Sequence, residues 1–341
     1  MHEDPSKNSI VGTLSRFGGT ETLISSGIPS LDELLGDGIP VGSLVIIEED
    51  SQGLYARIVL KYFLAEGVVN KHRIFVASQE ISSEKLIHQL PQLIESKPKN
   101  VEEPNVERPK MKIAFRYDNL PTEQKEPEQK FGHYYDLSSV MSQNYLDDCK
   151  ITTWDDTKTL KSNSFYNQKY YELLTSIKND LKSHNENNIL RIGIHALGSP
   201  VWHLLDEINE EKALKDLTLF LYSFRMMIQT KKAVGYVTIP AHLFEKVDRL
   251  LHLSDIYIRL QAFAGTEFAD NKYLSDFQGF IHIDKLTPKN GFNSKISSTI
   301  EHVFKLRRKK FTIEMLHLPP DLDATEVSGL GCATGSSKLD F

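Results

Sequence analysis

The chain has 341 residues, of which 40% are hydrophobic, and its 40 Lys and Arg against 46 Asp and Glu give a formal net charge of -6. This length allows a sizeable core in one large domain or two ordinary ones, and the charge argues against a protein coated in nucleic acid, although local basic clusters remain possible. Cys149 and Cys332 lack metal-ligand spacing, so the sequence supports neither a disulfide framework nor a zinc site. With no apolar leader segment and no apolar run near the roughly 18 residues of a membrane helix, we expect a soluble protein of a reducing, intracellular compartment.

The first structured region is expected to begin near Ile24, after a polar, Gly-rich and flexible segment from residue 1 to 23. Ser30, with Glu33 three residues later, has the spacing of a helix N-cap. The short helix that it caps leads into a buried strand from Leu44 to Ile47.

The stretch from Gly42 to Phe63 reads as strand, polar loop and amphipathic helix, the layout of a phosphate-binding loop. Such a loop needs a Lys for the outer phosphates and a Ser or Thr hydroxyl for magnesium, but the two positions hold Tyr55 and Ala56. The loop residues Asp50, Ser51, Gln52 and Gly53 follow Glu48 and Glu49, and these acidic side chains repel phosphate. The sequence therefore predicts the scaffold of a nucleotide hydrolase without its reactive groups. Gly67 is expected to end the helix.

Further apolar strands alternate with helices along the middle of the chain, which predicts a parallel sheet. The expected strands are Arg73 to Ser78, Ile189 to Ile194 and Ala233 to Pro240, and the expected helices carry apolar stripes at Tyr166 to Leu181 and Leu214 to Ile228. The strand that in nucleotide hydrolases ends in a magnesium-binding Asp ends here in His195. We interpret His195 as a hydrogen-bonded histidine at a strand tip.

Two polar stretches, near residues 95–130 and 147–163, are expected to be surface insertions. Two aromatic patches adjoin them, the strand-like MKIAFRYDNLP from Met111 to Pro121 and FGHYYDLSSVM from Phe131 to Met141. Their Tyr and Arg content fits either core beneath an insertion or anchors of a protein interface, and the sequence favours neither.

The last third predicts antiparallel strands, with a turn of four consecutive positive charges, Arg307, Arg308, Lys309 and Lys310, between the final two. A solvated hairpin end is the commoner meaning of such a run, and a phosphate contact for nucleic acid is the alternative. Residues 321–341 lack periodicity and are expected to form a flexible tail.

The run SGIPSLDELLGDGIPVGSLVIIEED resembles the entry of RecA-like and KaiC-like ATPases. Together with the degenerate loop, AFRYDNLP, FGHYYDLS, KKFTIEMLHLPPDL and the closing GCATGSSKLDF, it is similar to the PAXNEB family, the fourth subunit of the Elongator complex. Several such motifs in the right order are specific. The resemblance implies a RecA-like α/β domain over residues 24–320, with a mostly parallel central sheet flanked by helices and an antiparallel C-terminal extension.

The resemblance also implies a non-catalytic subunit that forms a hetero-hexameric ring with Elongator subunits five and six, binds tRNA, and supports modification of wobble uridine (U34) by the catalytic Elongator subcomplex in cytoplasm and nucleus. The catalytic cofactors, an iron–sulfur cluster and acetyl-coenzyme A, belong to another subunit, and none is expected here. Gln79 stands near where an active ATPase carries its catalytic Glu, with Glu80 adjacent, which leaves open a contribution to a neighbour's site. The alternatives are a divergent RecA- or KaiC-like ATPase and a DNA-recombination paralogue.

Overall fold

The computed structural model describes residues 10–16, 20–94, 131–154, 163–185, 187–202, 210–244, 247–287 and 301–316. These residues form seven α-helices and fourteen strands. The helices are α1 (Pro29–Leu34), α2 (Leu54–Val69), α3 (Ser83–His88), α4 (Gln143–Asp147), α5 (Gln168–Lys182), α6 (Glu210–Ile228) and α7 (Asp248–Leu253). The strands are β1 (Thr13–Arg16), β2 (Glu21–Ile24), β3 (Ile39–Pro40), β4 (Leu44–Glu48), β5 (Arg73–Ser78), β6 (Pro91–Leu93), β7 (Tyr135–Val140), β8 (Ile151–Trp154), β9 (Leu190–His195), β10 (Ala233–Ile239), β11 (Ile256–Ala262), β12 (Gly279–Leu286), β13 (His302–Leu306) and β14 (Phe311–Met315).

A nine-stranded central sheet organises the molecule, in the order β14-β13-β12-β11-β4-β10-β9-β5-β8. The six strands from β11 to β8 are parallel, and β12, β13 and β14 extend the sheet in antiparallel pairs. Strands β4, β5, β9 and β10 are apolar on both faces because helices cover both sides, as parallel sheets require. The expected α/β architecture with its antiparallel C-terminal extension is confirmed.

Helices α1 to α4 pack on one face of the sheet, where α2 buries Val59, Phe63 and Leu64 against strands β5, β9 and β10. Helices α5, α6 and α7 cover the other face with Tyr170, Leu217 and neighbouring apolar residues. The helix stripes that the sequence predicts on α5 and α6 are buried, apart from Tyr166, which precedes α5 and is 50% exposed, and Leu214, which is partly buried. Among the described residues no helix combines the length and apolar character needed to cross a membrane.

Two polar segments are more structured than the sequence predicts. Strands β1, β2 and β3 form a small antiparallel sheet, so the expected flexible segment from 1 to 23 is wrong for residues 13–16 and 21–23. Strand β8 lies within the expected insertion at 147–163, yet it pairs in parallel with β5 at the edge of the central sheet. The Thr residues of β8 are half-exposed, as an edge strand permits. Because these residues are polar, the sequence pattern did not indicate a strand here. The strand-like Met111 to Pro121, the 95–130 insertion and the tail 321–341 lie outside the described residues.

Two helix-end predictions are also wrong. Helix α1 begins at Pro29, with Ile28 as its N-cap residue, while the Ser30 hydroxyl instead accepts a hydrogen bond from the Ile313 N–H at 3.1 Å. Helix α2 continues past Gly67 to Val69. A Cβ at position 67 would lie 2.5 Å from Arg191 Cδ, so the missing side chain makes room for that buried guanidinium.

Candidate functional site

The loop between β4 and α2 (residues 49–53, hereafter the β4–α2 loop) lies at the carboxyl edge of the parallel strands, where α/β folds bind ligands. Gly53 adopts a left-handed conformation, with φ of 62°, and is the N-cap residue of α2. Its N–H donates to the Asp50 carbonyl at 2.8 Å, which closes a tight turn. The backbone thus has the strand, turn and helix start of a phosphate-binding loop.

Asp50 occupies this turn with its own carboxylate. One side-chain oxygen accepts from the Tyr55 N–H at 3.1 Å and the other from the Gln52 N–H at 3.2 Å, and the residue is only 2% exposed. Backbone amides at a helix start are the donors that phosphate oxygens use in nucleotide sites. An internal carboxylate therefore fills the positions that a phosphate would need.

The two positions that lack the nucleotide-binding side chains belong to the core. Tyr55 is buried and packs on Phe304 of β13, with ring centroids 4.7 Å apart, and this burial raises the pKa of the Tyr55 hydroxyl. Ala56 is fully buried among the apolar residues between α2 and the sheet. Both side chains therefore contribute to the packing of the core.

Glu49 adds a second buried carboxyl beside Asp50. It is 6% exposed, and its Oε1 atom has no hydrogen-bond partner among the described residues. Burial raises the pKa of Glu49 to about 7; the charges of Glu80 and Asp50 add to this rise, and a hydrogen bond with Thr238 opposes it. Glu49 is therefore partly ionised near neutral pH, and its negative charge disfavours an anionic ligand.

His195 ends β9 beside β5, and its Nδ1 atom lies 3.1 Å from the Ser78 hydroxyl. Burial lowers the pKa of His195 to about 4, so the ring is neutral at physiological pH. The interpretation as a hydrogen-bonded strand-tip histidine is confirmed. Gln79 accepts a hydrogen bond from Lys169 Nζ at 2.8 Å, and Glu80 is exposed. A role for either residue in the site of a neighbouring subunit stays a prediction.

The four residues Arg307, Arg308, Lys309 and Lys310 form the exposed turn between β13 and β14, called here the basic tip. The Arg307 N–H donates to the Lys310 carbonyl at 2.9 Å, and the Leu137 N–H of β7 donates to the Lys309 carbonyl at 2.8 Å. Lys309 Nζ lies 3.9 Å from Asp136, whose pKa is lowered by hydrogen bonds from Ser138 and further by Lys309 and Arg308. The tip is thus anchored to β7 through its backbone, and its charges face solvent.

A cavity of about 360 Å³ brings together three of the sequence motifs. Its lining includes Gly27 and Ser30 of the SGIPS run, His133 and Tyr134 of FGHYYDLS, and Lys310 immediately before β14. In the aromatic patch Tyr135 is 1% exposed and belongs to the core, whereas Tyr134 is 63% exposed, and its role as an interface anchor stays a prediction.

Beneath this cavity lies a buried polar cluster that sequence reasoning missed. Glu66 of α2 is fully buried and accepts hydrogen bonds from the Tyr135 hydroxyl at 2.6 Å, from His133 Nδ1 at 3.0 Å and from Asn70 Nδ2 at 2.8 Å. Arg191 is also buried and donates to the Phe63 carbonyl at 3.0 Å. A Glu within an otherwise apolar helix and an Arg within an apolar strand are the sequence signals that could have revealed the cluster. The described residues contain no group of three or more His, Cys, Asp or Glu side chains that could hold a metal ion.

Comparisons with known proteins give a consistent result. The family model described as PAXNEB protein matches residues 6–341. The chain is 36% identical to Elongator complex protein 4 of Mus musculus over 384 residues, which covers 98% of this chain and 89% of the relative. It is 36% identical to the Homo sapiens protein of that name over 366 residues (98% and 84%), and 34% identical to the Danio rerio protein over 377 residues (97% and 92%).

Among solved structures, a KaiC-like protein from the hyperthermophilic archaeon Pyrococcus horikoshii OT3 is similar, with a TM-score of 0.51. The similarity covers 86% of this chain and 98% of that one at 14% identity. At this identity the likeness shows the fold alone, which is the RecA-like α/β fold.

Proposed function

The chain belongs to the PAXNEB protein family of Elongator complex subunits, and on that basis we propose that it is a non-catalytic subunit that forms a RecA-like hetero-hexameric ring with Elongator subunits five and six. In this proposal the ring binds tRNA and supports modification of wobble uridine (U34) by the catalytic Elongator subcomplex, in the cytoplasm and the nucleus. The observation that carries it is the identity of 34 to 36% to relatives named Elongator complex protein 4 over nearly the whole chain.

The geometry of the β4–α2 loop supports the non-catalytic part of the proposal. Asp50 takes the backbone amides, Tyr55 and Ala56 are core residues, and Glu49 brings a second carboxyl to the same place. A nucleotide would have to displace a buried carboxylate from its hydrogen bonds and then bind without a Lys to offset its charge. Both steps weaken nucleotide binding, and neither occurs in a working ATPase, whose loop amides are free and whose Lys offsets the phosphate charge.

Surface composition supports assembly with other subunits. Tyr134, which lines the 360 Å³ cavity, and Val140 of β7 are more than 60% exposed, and Tyr222 and Met226 are more than half exposed on α6. Aromatic residues and Met are enriched in protein interfaces relative to the rest of the surface. The basic tip supplies exposed positive charge of the kind that contacts nucleic-acid phosphates.

The deciding experiment is co-expression of the chain with Elongator subunits five and six, followed by native mass measurement and titration with tRNA. We expect a complex with two copies of each chain that binds tRNA with an affinity that decreases as salt increases. A complex that lacks this chain, or a complete ring with no affinity for tRNA in low salt, contradicts the proposal.

Two other functions remain as alternatives, a divergent RecA- or KaiC-like ATPase and a DNA-recombination paralogue. Titration of the isolated chain with labelled ATP tests the first. Saturable, magnesium-dependent binding at low micromolar concentration corresponds to roughly 8 kcal/mol and favours the ATPase. Stronger binding of duplex or single-stranded DNA than of tRNA favours the recombination paralogue.

A further inference from the structure

A positively charged groove lies between the C-terminal ends of α5 and α6, away from the β4–α2 loop and the basic tip. Its cavity measures about 430 Å³, and five of the seven described residues that line it are basic in type. We call it the lysine groove; its lining is Lys178, Leu181, Lys182, His184, Met227, Lys231 and Lys232. No Asp or Glu is among these described residues, although the chain has a net charge of -6.

The arrangement follows from two helix ends meeting on one face of the sheet. Lys178 and Lys182 are four residues apart on α5 and therefore lie on the same side of that helix. Lys231 and Lys232 form the connection from α6 to β10, where the Lys231 N–H donates to the Ile228 carbonyl at 2.9 Å and the Lys232 carbonyl accepts from the Leu190 N–H at 2.9 Å. These backbone bonds fix the second pair of lysines beside the first.

The positive charge of the groove is available to a ligand. All four lysines are exposed, and among the described residues none of their ammonium groups forms an ion pair or a hydrogen bond. Asp180, the acidic residue between Lys178 and Lys182 on α5, is buried and paired with Arg73. His184 donates from Nε2 to the Asn188 carbonyl at 2.9 Å, and burial lowers its pKa, so the four lysines supply the charge.

A favourable interaction of each lysine with a helix C-terminus would be the simplest explanation of this cluster. That interaction falls off within the last turn and places no requirement on the second helix. Here one pair from α5 and one pair from the connection after α6 converge on one cavity, and four cations that have no partner among the described residues repel one another unless an anion lies between them. Convergence therefore points to a ligand with several negative charges.

The groove continues along the two helices into a second cavity of about 510 Å³, which shares Lys178, Lys182 and Met227 with the first. The second cavity adds the aromatic rings of Phe165 and Tyr171, and hydroxyl or amide groups of Ser164, Thr175, Asn179 and Ser223. A surface with cations at one end and aromatic, apolar and hydrogen-bonding groups along its length matches a chain of phosphates, sugars and bases. A simple anion would need only the lysines.

We propose that the lysine groove binds the sugar–phosphate backbone of RNA, with Lys178, Lys182, Lys231 and Lys232 on successive phosphates. The inference rests on the proposed function and deepens it, because the groove lies on the sheet face covered by α5 and α6, whereas the basic tip contacts β7 on the other face. It gives the subunit a second tRNA contact, independent of the tip.

The test uses the assembled ring with all four lysines changed to Ala in this subunit, and measures tRNA affinity as a function of salt. Each lost phosphate contact reduces the slope of log affinity against log salt by roughly 0.7 to 0.9, which at 0.1 M salt corresponds to about a five- to eightfold loss per contact. Because phosphate contacts do not read sequence, we expect the same loss for different tRNAs. Replacement of the four lysines by Arg should retain binding, since the charge is kept.

A matched control removes four exposed cations elsewhere on this chain, so that the net charge changes equally: Lys85, Lys150, Arg249 and Lys272, each to Ala. This variant should bind tRNA within about twofold of the unmodified ring, because distant charges are screened at these salt concentrations. If the fourfold groove variant does not assemble, the double variant Lys231→Ala with Lys232→Ala decides, since both residues lie in an exposed connection.

The outcomes separate the two proposals. If the unmodified ring has no affinity for tRNA, the proposed function fails and the groove inference fails with it. If the unmodified ring binds tRNA, and the groove variant binds as tightly as the control with the same salt slope, only the groove inference is overturned. The groove inference is also overturned if the groove variant binds tRNA as the unmodified ring does but no longer binds vesicles of anionic lipid that the unmodified ring binds. That result assigns the groove to a membrane surface.

Discussion

Glu49→Gln tests whether the buried, ionised carboxylate of Glu49 in the β4–α2 loop destabilises the folded state. Glu49 is 6% exposed, with one oxygen lacking a hydrogen-bond partner among the described residues, and burial raises its pKa from 4.5 to about 7. That difference corresponds to ~3 kcal/mol by which the folded state disfavours the ionised carboxylate. Gln has nearly the shape of the neutral acid, with the same carbonyl acceptor and an NH2 donor in place of the O–H, and it never ionises.

The sign follows from which state holds the proton. Below about pH 4.5 the Glu49 side chain is protonated in both states and contributes no penalty. Between pH 4.5 and 7 the unfolded chain loses the proton first, so the free energy of unfolding falls as pH rises. Above pH 7 the full penalty is present. We therefore expect Glu49→Gln to be as stable as the unmodified chain at pH 4.5 and more stable by up to ~3 kcal/mol at pH 8.

Urea unfolding of the two proteins at pH 4.5 and pH 8 measures this difference. Other titrating groups, including Asp32 and His72, affect both proteins equally and cancel in the comparison. Glu84→Gln on α3 is the matched control, because Glu84 is exposed and its substitution should alter stability by less than about 0.5 kcal/mol at either pH. A Glu49→Gln variant whose stability relative to the unmodified chain is the same at both pH values would refute the reasoning.

Three further outcomes are expected. The double variant Tyr55→Lys with Ala56→Ser should still not bind ATP, because Asp50 keeps the backbone amides, and magnesium-dependent binding in an equilibrium titration would show that the two side chains alone were missing. Glu66→Ala should lower the free energy of unfolding by about 3 to 5 kcal/mol in urea, because it leaves buried donors unpaired. Glu33→Ala, at an exposed position, should lower it by less than about 0.5 kcal/mol. Equal losses for the two variants would contradict a stabilising role of the buried polar cluster. Changing the four residues of the basic tip to Ala should lower the tRNA affinity of the ring and reduce the slope of log affinity against log salt by roughly 0.7 to 0.9 per lost contact. An intact ring with unchanged affinity identifies the tip as a solvated turn. A ring that no longer forms places the tip at a subunit contact.

The sequence predicts the parallel core well because that information is local. Strands such as β5 and β9 are short, continuous apolar runs, and the helices between them carry stripes at the helical period. The predictions failed where a segment owes its structure to a partner distant in sequence. Strand β8 has only four residues and half-exposed Thr side chains, and it becomes a strand by pairing with the edge of β5.

The candidate site divides in the same way. Tyr55, Ala56 and His195 already show in the sequence that the Lys, hydroxyl and carboxylate of a nucleotide hydrolase are absent, because these groups are defined by residue type at fixed positions. Sequence spacing alone does not show that Asp50 turns inward onto the amides of Gln52 and Tyr55, since that depends on the conformation of the turn.

The sequence by itself thus determined the fold class and the absence of the Lys, hydroxyl and carboxylate side chains from the expected positions, both of which depend on residue identity and short-range periodicity. Only the tertiary structure decided where charge accumulates. Lys178 and Lys232 are 54 positions apart in the printed sequence, and they meet because α5 and α6 pack side by side on one face of the sheet and end at the same edge. Packing between distant segments sets that position, so the lysine groove is visible in the structure and not in the sequence pattern.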